Sequence, residues 1–306
     1  MSWKSDDLLN KATVYFQRAF MLDRENELFP LWCSLGLELL ARAALSRIHP
    51  ALLADPQQGE NLLYAFGFPS GNPPKSIPAK TLFHRLTVVI PLFKEDDFKF
   101  CTSLMELRNA ELHSAELAFE NYPVSKWLPN LFRICKILTE FCNLKLEDIL
   151  GEEEATSANE IIAASQAKLQ QEVNNLINNA KNVFLKQALE IRLQKATEAK
   201  KEILKHLDWK SSRRECPACG AHGAIQGAVV KFLEPKATTD SIEERAIIMP
   251  ISFVCVCCGL NLPSHQHLFN AGMGDQYTES NLVDPKDYYG IEFDRSDYCE
   301  GDYGND

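Results

Sequence analysis

Ten cysteines stand among the 306 residues, and five of them fall into two knuckles of one form, Cys216-Pro-Ala-Cys219-Gly and Cys255-Val-Cys257-Cys258-Gly. In each C-x-x-C-G unit the glycine lets the backbone turn so that amide groups face the thiolate sulfurs. Four soft, deprotonated ligands in a closed tetrahedron suit Zn2+, with Zn–S bonds of about 2.3 Å. The expected ligands are therefore Cys216, Cys219, Cys255 and Cys258. A catalytic zinc keeps an open position and typically uses His or carboxylate ligands, so four cysteines argue for a structural ion. Cys257 competes with Cys258 for the last position, and His265 and His267 follow closely; the glycine after Cys258 favours Cys258. Disulfides are the competing use of such cysteines, but paired C-x-x-C knuckles in a chain without a secretory start read as metal-binding. Cys33, Cys101, Cys135 and Cys142 lie on apolar helical segments and read as buried, reduced thiols.

A second constellation is Leu107-Arg108-Asn109-Ala-Glu111-Leu-His113-Ser114. On a helix Asn109 and His113 are one turn apart on one face, while Arg108 stands about 140° from His113. Histidine transfers protons near neutral pH, and a planar guanidinium grips phosphate. Two such helices facing each other across a two-fold axis would gather two Arg, two Asn and two His in one cleft. That set suits RNA cleavage by attack of the 2′-OH on the adjacent phosphate, which needs proton transfer and cationic support for the developing charge, and no metal. The bare Arg-x4-6-His pattern also matches Arg42 to His49, where His49 precedes Pro50 at a helix end. Arg108 and His113 are instead expected in the middle of a helix from Phe98 to Phe119, with Leu104, Leu107, Leu112 and Ala115 on its core face.

The elements that must carry these residues follow from periodicity and breakers. Hydrophobic residues at 45%, charged at 24%, 14 Gly and 15 Pro exclude a largely disordered or fibrous chain. Apolar residues at helical spacing predict helices over Leu8–Met21, Leu31–Ile48, Ala79–Ile90, 96–119 and Val124–Cys142, with a breaker-rich loop at 67–79. The first 150 residues thus read as an all-α domain of about five helices. Residues 152–216 contain neither Gly nor Pro. There Leu169, Val173, Leu176, Ala180 and Val183 form a heptad-like stripe whose register breaks near Gln187, giving one stuttered helix or a hairpin turning near the Asn cluster at 174–182, packed on its own domain or forming a dimer contact. Val229–Leu233 and Ala246–Val256 read as short strands.

The all-α half, with Arg108-Asn109-x-x-x-His113 on a late helix after Leu31–Pro50, resembles the HEPN superfamily over about residues 8–150. The resemblance implies a metal-independent ribonuclease site at a dimer interface, with Arg108, Asn109 and His113 as its residues. It also implies a setting in prokaryotic antiviral defence or toxin action. The segment with both knuckles resembles a zinc ribbon. The fold expected is mainly α: a HEPN-like domain at 1–150, an extended helical or coiled-coil arm at 151–210, a four-cysteine ribbon at 211–270 and an acidic flexible tail at 271–306.

The net charge of −10 is uneven: residues 271–306 hold two basic residues against ten acidic ones. The rest of the chain is nearly neutral, which does not exclude a local nucleic-acid site. Between the knuckles only Lys231, Lys236 and Arg245 are basic, so the ribbon is expected to recognise protein at least as readily as phosphate. The tail reads as a solvated end, or as a phosphate mimic that restrains the RNA site. The start, Met1-Ser-Trp-Lys-Ser-Asp-Asp, has no signal pattern, so the expectation is a cytoplasmic homodimer acting on RNA, without membrane association, with an antitoxin or defence-system protein as its partner. The reading from another class is a non-catalytic HEPN and zinc-ribbon module that binds nucleotide, RNA or a partner protein.

Overall fold

Helix α1 (Ser5–Phe20) and helix α2 (Leu28–Ile48) pack against each other along their lengths. Leu8, Leu9, Ala12, Phe16 and Ala19 form the buried stripe of α1. Gly36 of α2 makes the close approach possible, because a Cβ there would sit 3.0 Å from the Phe16 ring. Among the described residues α2 is long and apolar enough to cross a membrane, yet more than half of it is buried as the central core helix. The computed structural model describes residues 2–290 except Asn121, and not the side chain of His206. It divides into two compact units, residues 1–168 and 169–306.

The first unit continues with α3 (Gly59–Ala65), α4 (Ala79–Val89), α5 (Glu95–His113), α6 (Val124–Phe141) and α7 (Leu146–Leu150). In α6, Trp127, Leu131, Ile134, Cys135 and Leu138 recur every three or four residues and enter the core with Phe29, Phe83 and Leu104. Cys33, Cys101, Cys135 and Cys142 are buried and free, as expected of core thiols. The helices read at helical spacing are present, whereas α3 and α7 are too short to show a period.

Helix α5 departs from expectation at its end, stopping at His113 instead of Phe119. The Ser114 hydroxyl donates to the Ala110 carbonyl at 2.7 Å and accepts from the Glu116 amide at 3.1 Å, and Glu111 accepts from the Ala118 amide at 2.8 Å. These local bonds replace the next helical turn. Leu112, expected on the core face, is 50% exposed, and Ala115 is exposed outside the helix.

The stretch expected as an arm at 151–210 is helix α8 (Glu152–Leu185) followed by α9 (Leu189–Glu202); α8 runs unbroken through the Asn cluster at 174–182, where a turn was one expectation, and the break falls at 186–188, where the heptad register fails. The arm is not a separate body. Ala155, Ala158 and Ile162 are buried in the core of the first unit, whereas Val173, Phe184 and Ala199 are buried in that of the second. The stripe of Leu169, Val173, Leu176 and Ala180 is therefore spent on the cysteine-bearing unit, and Val183 is left 61% exposed.

The second unit holds an antiparallel sheet of β1 (Ser212–Glu215), β2 (His222–Phe232), β3 (Lys236–Ala237), β4 (Ile242–Val254), β5 (Asn261–Leu262) and β6 (Tyr277–Val283), with α10 (His265–Asn270) between the last two. The main path is β1-β2-β4-β3, and β5 and β6 also pair with β4. The chain is thus mainly helical with a small β part. Residues 277–283 are not tail: they pair with Ile242–Ile248, and Tyr277 donates to the Lys210 carbonyl at 2.6 Å. Their alternation of half-buried and exposed residues is a strand pattern that the acidic composition around it concealed. Helix α11 (Pro285–Tyr289) follows; the rest of the expected tail, 291–306, lies outside the described residues.

Gly227 of β2 lies beneath the Tyr277 side chain, where a Cβ would strike Ile248 and the Tyr277 hydroxyl and come within 2.7 Å of the Lys210 carbonyl oxygen. Gly227→Ala is expected to cost about 2–3 kcal/mol through overpacking. Thermal unfolding of the purified protein reads this as a lowered transition, and an unchanged transition would contradict the packing described.

Candidate functional site

Each cysteine knuckle is the turn of a hairpin. Cys216–Gly220 joins β1 to β2 and Cys255–Gly259 joins β4 to β5, and the two turns carry the same bonds. The Cys216 amide donates to the Ala221 carbonyl at 2.8 Å and the Gly220 amide to the Cys216 carbonyl at 3.0 Å. In the other knuckle the Cys255 amide donates to Leu260 and the Gly259 amide to Cys255, each at 2.8 Å. Gly220 and Gly259 have φ of +74° and +78°, the left-handed region that a side chain disfavours. Pairing of Ala224 with Val254 and Ile225 with Phe253 then sets the knuckles side by side.

The sulfurs of Cys216, Cys219, Cys255 and Cys258 all lie within 4.8 Å of one another. Cys216 and Cys258 are 3.6 Å apart, as are Cys219 and Cys255. A tetrahedron with 2.3 Å Zn–S bonds has edges of about 3.8 Å, so the spacing fits one ion and exceeds the disulfide length of about 2.05 Å. The four together could bind a metal ion. Contacts from Cys216 and Cys258 lower the Cys255 thiol, contact with Cys255 raises Cys216, contacts with Cys216 and then Cys255 raise Cys258, and burial raises Cys219. Four sulfurs this close repel one another when deprotonated, and a cation among them relieves that repulsion.

The alternative ligands are placed elsewhere. Cys257 is buried in the core of this unit, outside the group of four. His265 Nδ1 meets the Pro250 carbonyl at 2.9 Å, and His267 Nδ1 meets Ser264 Oγ at 2.8 Å with its Nε2 3.8 Å from Glu172.

The other constellation lies on α5. Asn109 and His113 are exposed, one turn apart, and His113 is the last helical residue, so it does not occupy the mid-helix position that was to set it apart from His49. His49 is itself the residue that ends α2, its Nδ1 accepting from the Ala51 amide. Arg108 turns inward: its guanidinium donates to Glu38 Oε2 of α2 at 2.7 Å, and its side chain is 13% exposed. Arg42 takes the other oxygen of Glu38 at 2.6 Å and also donates to Ser76 and the Ile77 carbonyl. Among the described residues no hydrogen bond or ion pair joins Arg108 to His113.

Two guanidiniums share one carboxylate, which leaves the cluster one net positive charge. Burial raises Glu38, but Arg42 and then Arg108 outweigh it, and the carboxyl is held below its ordinary value. Glu38 was not among the expected site residues, and Arg42 was noted only for its match to the Arg-x4-6-His pattern. The i, i+4 spacing of Glu38 and Arg42 on an otherwise apolar helix was the available signal.

Glu38→Gln strands two largely buried arginines and is expected to cost about 3 kcal/mol at neutral pH. A carboxyl lowered in the folded state contributes stability above its unfolded value, about 4.3, and loses it as pH falls through the lower folded value. The gap in melting temperature between parent and variant should therefore be full at neutral pH and narrow toward pH 3; a gap that stayed constant would contradict this account. No protein-family model, curated protein or solved structure matches this chain.

Proposed function

We propose that the protein is a metal-independent endoribonuclease of the HEPN type, acting as a homodimer, with a zinc ribbon as a structural module. The observation that carries the reading is the exposed pair Asn109 and His113 on α5 beside an arginine locked in place by Glu38. Two copies of this face opposed across a two-fold axis supply two proton-transfer groups and a cationic floor.

In this reading His113 of one copy accepts the 2′-OH proton as the oxygen attacks the phosphate. His113 of the other protonates the departing 5′ oxygen, leaving a 2′,3′-cyclic phosphate. The net positive charge of the Glu38, Arg42 and Arg108 cluster favours the dianionic phosphorane, and Asn109 hydrogen-bonds a phosphate oxygen. Zinc at Cys216, Cys219, Cys255 and Cys258 would cross-link the two hairpins and take no part in the chemistry. The biological setting proposed is cytoplasmic, prokaryotic antiviral defence or growth arrest, with an antitoxin or defence partner.

One observation favours a non-catalytic module instead: Arg108 is already paired within its own chain. Incubating the purified protein with total RNA in excess EDTA separates the two. New fragments ending in 2′,3′-cyclic phosphate support the nuclease; intact RNA supports the binding module.

A further inference from the structure

The segment leading into β1 is richer in cations than the ribbon between the knuckles: Lys205, Lys210, Arg213 and Arg214 stand against Asp208 alone in residues 205–214. The fold interleaves part of this charge with aromatic rings. Trp209 stacks on Phe232, at the end of β2, with centroids 6.4 Å apart and planes at 28°. The Lys210 ammonium lies 5.6 Å from the Trp209 ring, and the Arg214 guanidinium 5.6 Å from the Tyr277 ring. The Tyr277 hydroxyl holds the Lys210 carbonyl, which pins the segment to β6. Phe232 is 55% exposed, and Arg213, Arg214 and Lys231 are exposed.

We infer that Trp209, Lys210 and Phe232, with Arg213 further along β1, form a binding surface for single-stranded nucleic acid. The outer ring faces take unpaired bases, and the cations beside them take the phosphates that join those bases. A duplex hides its base faces and asks for a continuous basic stripe, which is not present here. Of the nearby carboxylates, Asp208 is engaged in its own turn, accepting from the Lys210 amide at 3.0 Å and the Ser211 hydroxyl at 2.6 Å. Glu215 lies beside Gly220 at the first knuckle, Glu279 acts on Tyr277, and exposed Glu234 follows Phe232 by two residues; these carboxylates limit the affinity. The expectation that the ribbon grips phosphate poorly came from counting only residues between the knuckles; the cations precede the first knuckle and are folded onto the sheet.

The test is fluorescence anisotropy of a short fluorescein-labelled oligothymidylate with the full-length, zinc-loaded protein. This probe has no 2′-OH, so binding is read without cleavage and independently of the α5 site. Binding that falls with added salt and weakens about tenfold in Phe232→Ala, and again in Lys210→Ala/Arg213→Ala, supports the surface. Zinc content and far-UV circular dichroism serve to show that the variants are folded. Absence of binding to the parent protein, or binding unchanged in both folded variants, overturns it. A protein that binds oligothymidylate through these residues but leaves RNA intact would keep this inference and remove the nuclease proposal; the reverse result would remove only this one.

Discussion

Cys216→Ser and Cys258→Ser proteins are expected to carry no zinc, against one zinc per chain in the parent, and to lose the ordered packing of both hairpin turns. The expectation is large because structural Zn2+ sites contribute about 10–16 kcal/mol of apparent binding free energy at neutral pH. The core beneath the knuckles is small, consisting chiefly of Phe253, Leu260, Leu262, Leu268 and Ile225 with Val173 and Phe184 of α8. Four sulfurs crowded within 4.8 Å have no favourable arrangement once they ionise without a cation. Cys257→Ser provides the contrast: it alters a core contact and should retain the ion. Elemental analysis of the three purified variants, with thermal unfolding followed by near-UV circular dichroism, makes the comparison. Zinc kept by Cys258→Ser and lost by Cys257→Ser would reassign the fourth ligand.

His113→Ala is expected to lower RNA cleavage by about 10²–10⁴-fold, the usual contribution of a positioned proton-transfer group. The side chain is exposed and ends its helix, so the change should leave stability nearly untouched and the loss of rate can be read as chemistry. Arg108→Ala is a poorer test, because it also strips Glu38 of a partner. Arg108→Lys keeps a positive charge for Glu38 while removing the planar fork. If Arg108 grips phosphate, the lysine protein should melt near the parent and still cut much more slowly. Equal cleavage by the parent, His113→Ala and Arg108→Lys would sink the assignment, and the fragments would then have to come from elsewhere.

Much of the helical half could be read from spacing. Leu8, Ala12, Phe16 and Ala19 mark α1, and the breakers at 67–79 mark the gap before α4, because burial of one face imposes a period that the residues themselves carry. The four cysteines were equally legible, since a knuckle is a local turn and its ligand spacing is written within four consecutive positions. Other features were settled by groups distant in the chain or by competition between local bonds. The end of α5 depends on the Ser114 hydroxyl and the Glu111 carboxylate taking backbone partners that a helix would have used. The stripe on α8 shows an apolar face but cannot say what covers it, and it packs into the core around the cysteines together with Ala196 and Ala199 of α9. Strand β6 depends on a free edge of β4 and on Gly227 leaving room for Tyr277. The partner of Arg108 is 70 residues away on α2, which places its guanidinium against Glu38, and no periodicity within α5 contains that fact. Local spacing reveals the atoms that one segment presents; which of them meet is decided by the packing of segments far apart in the chain.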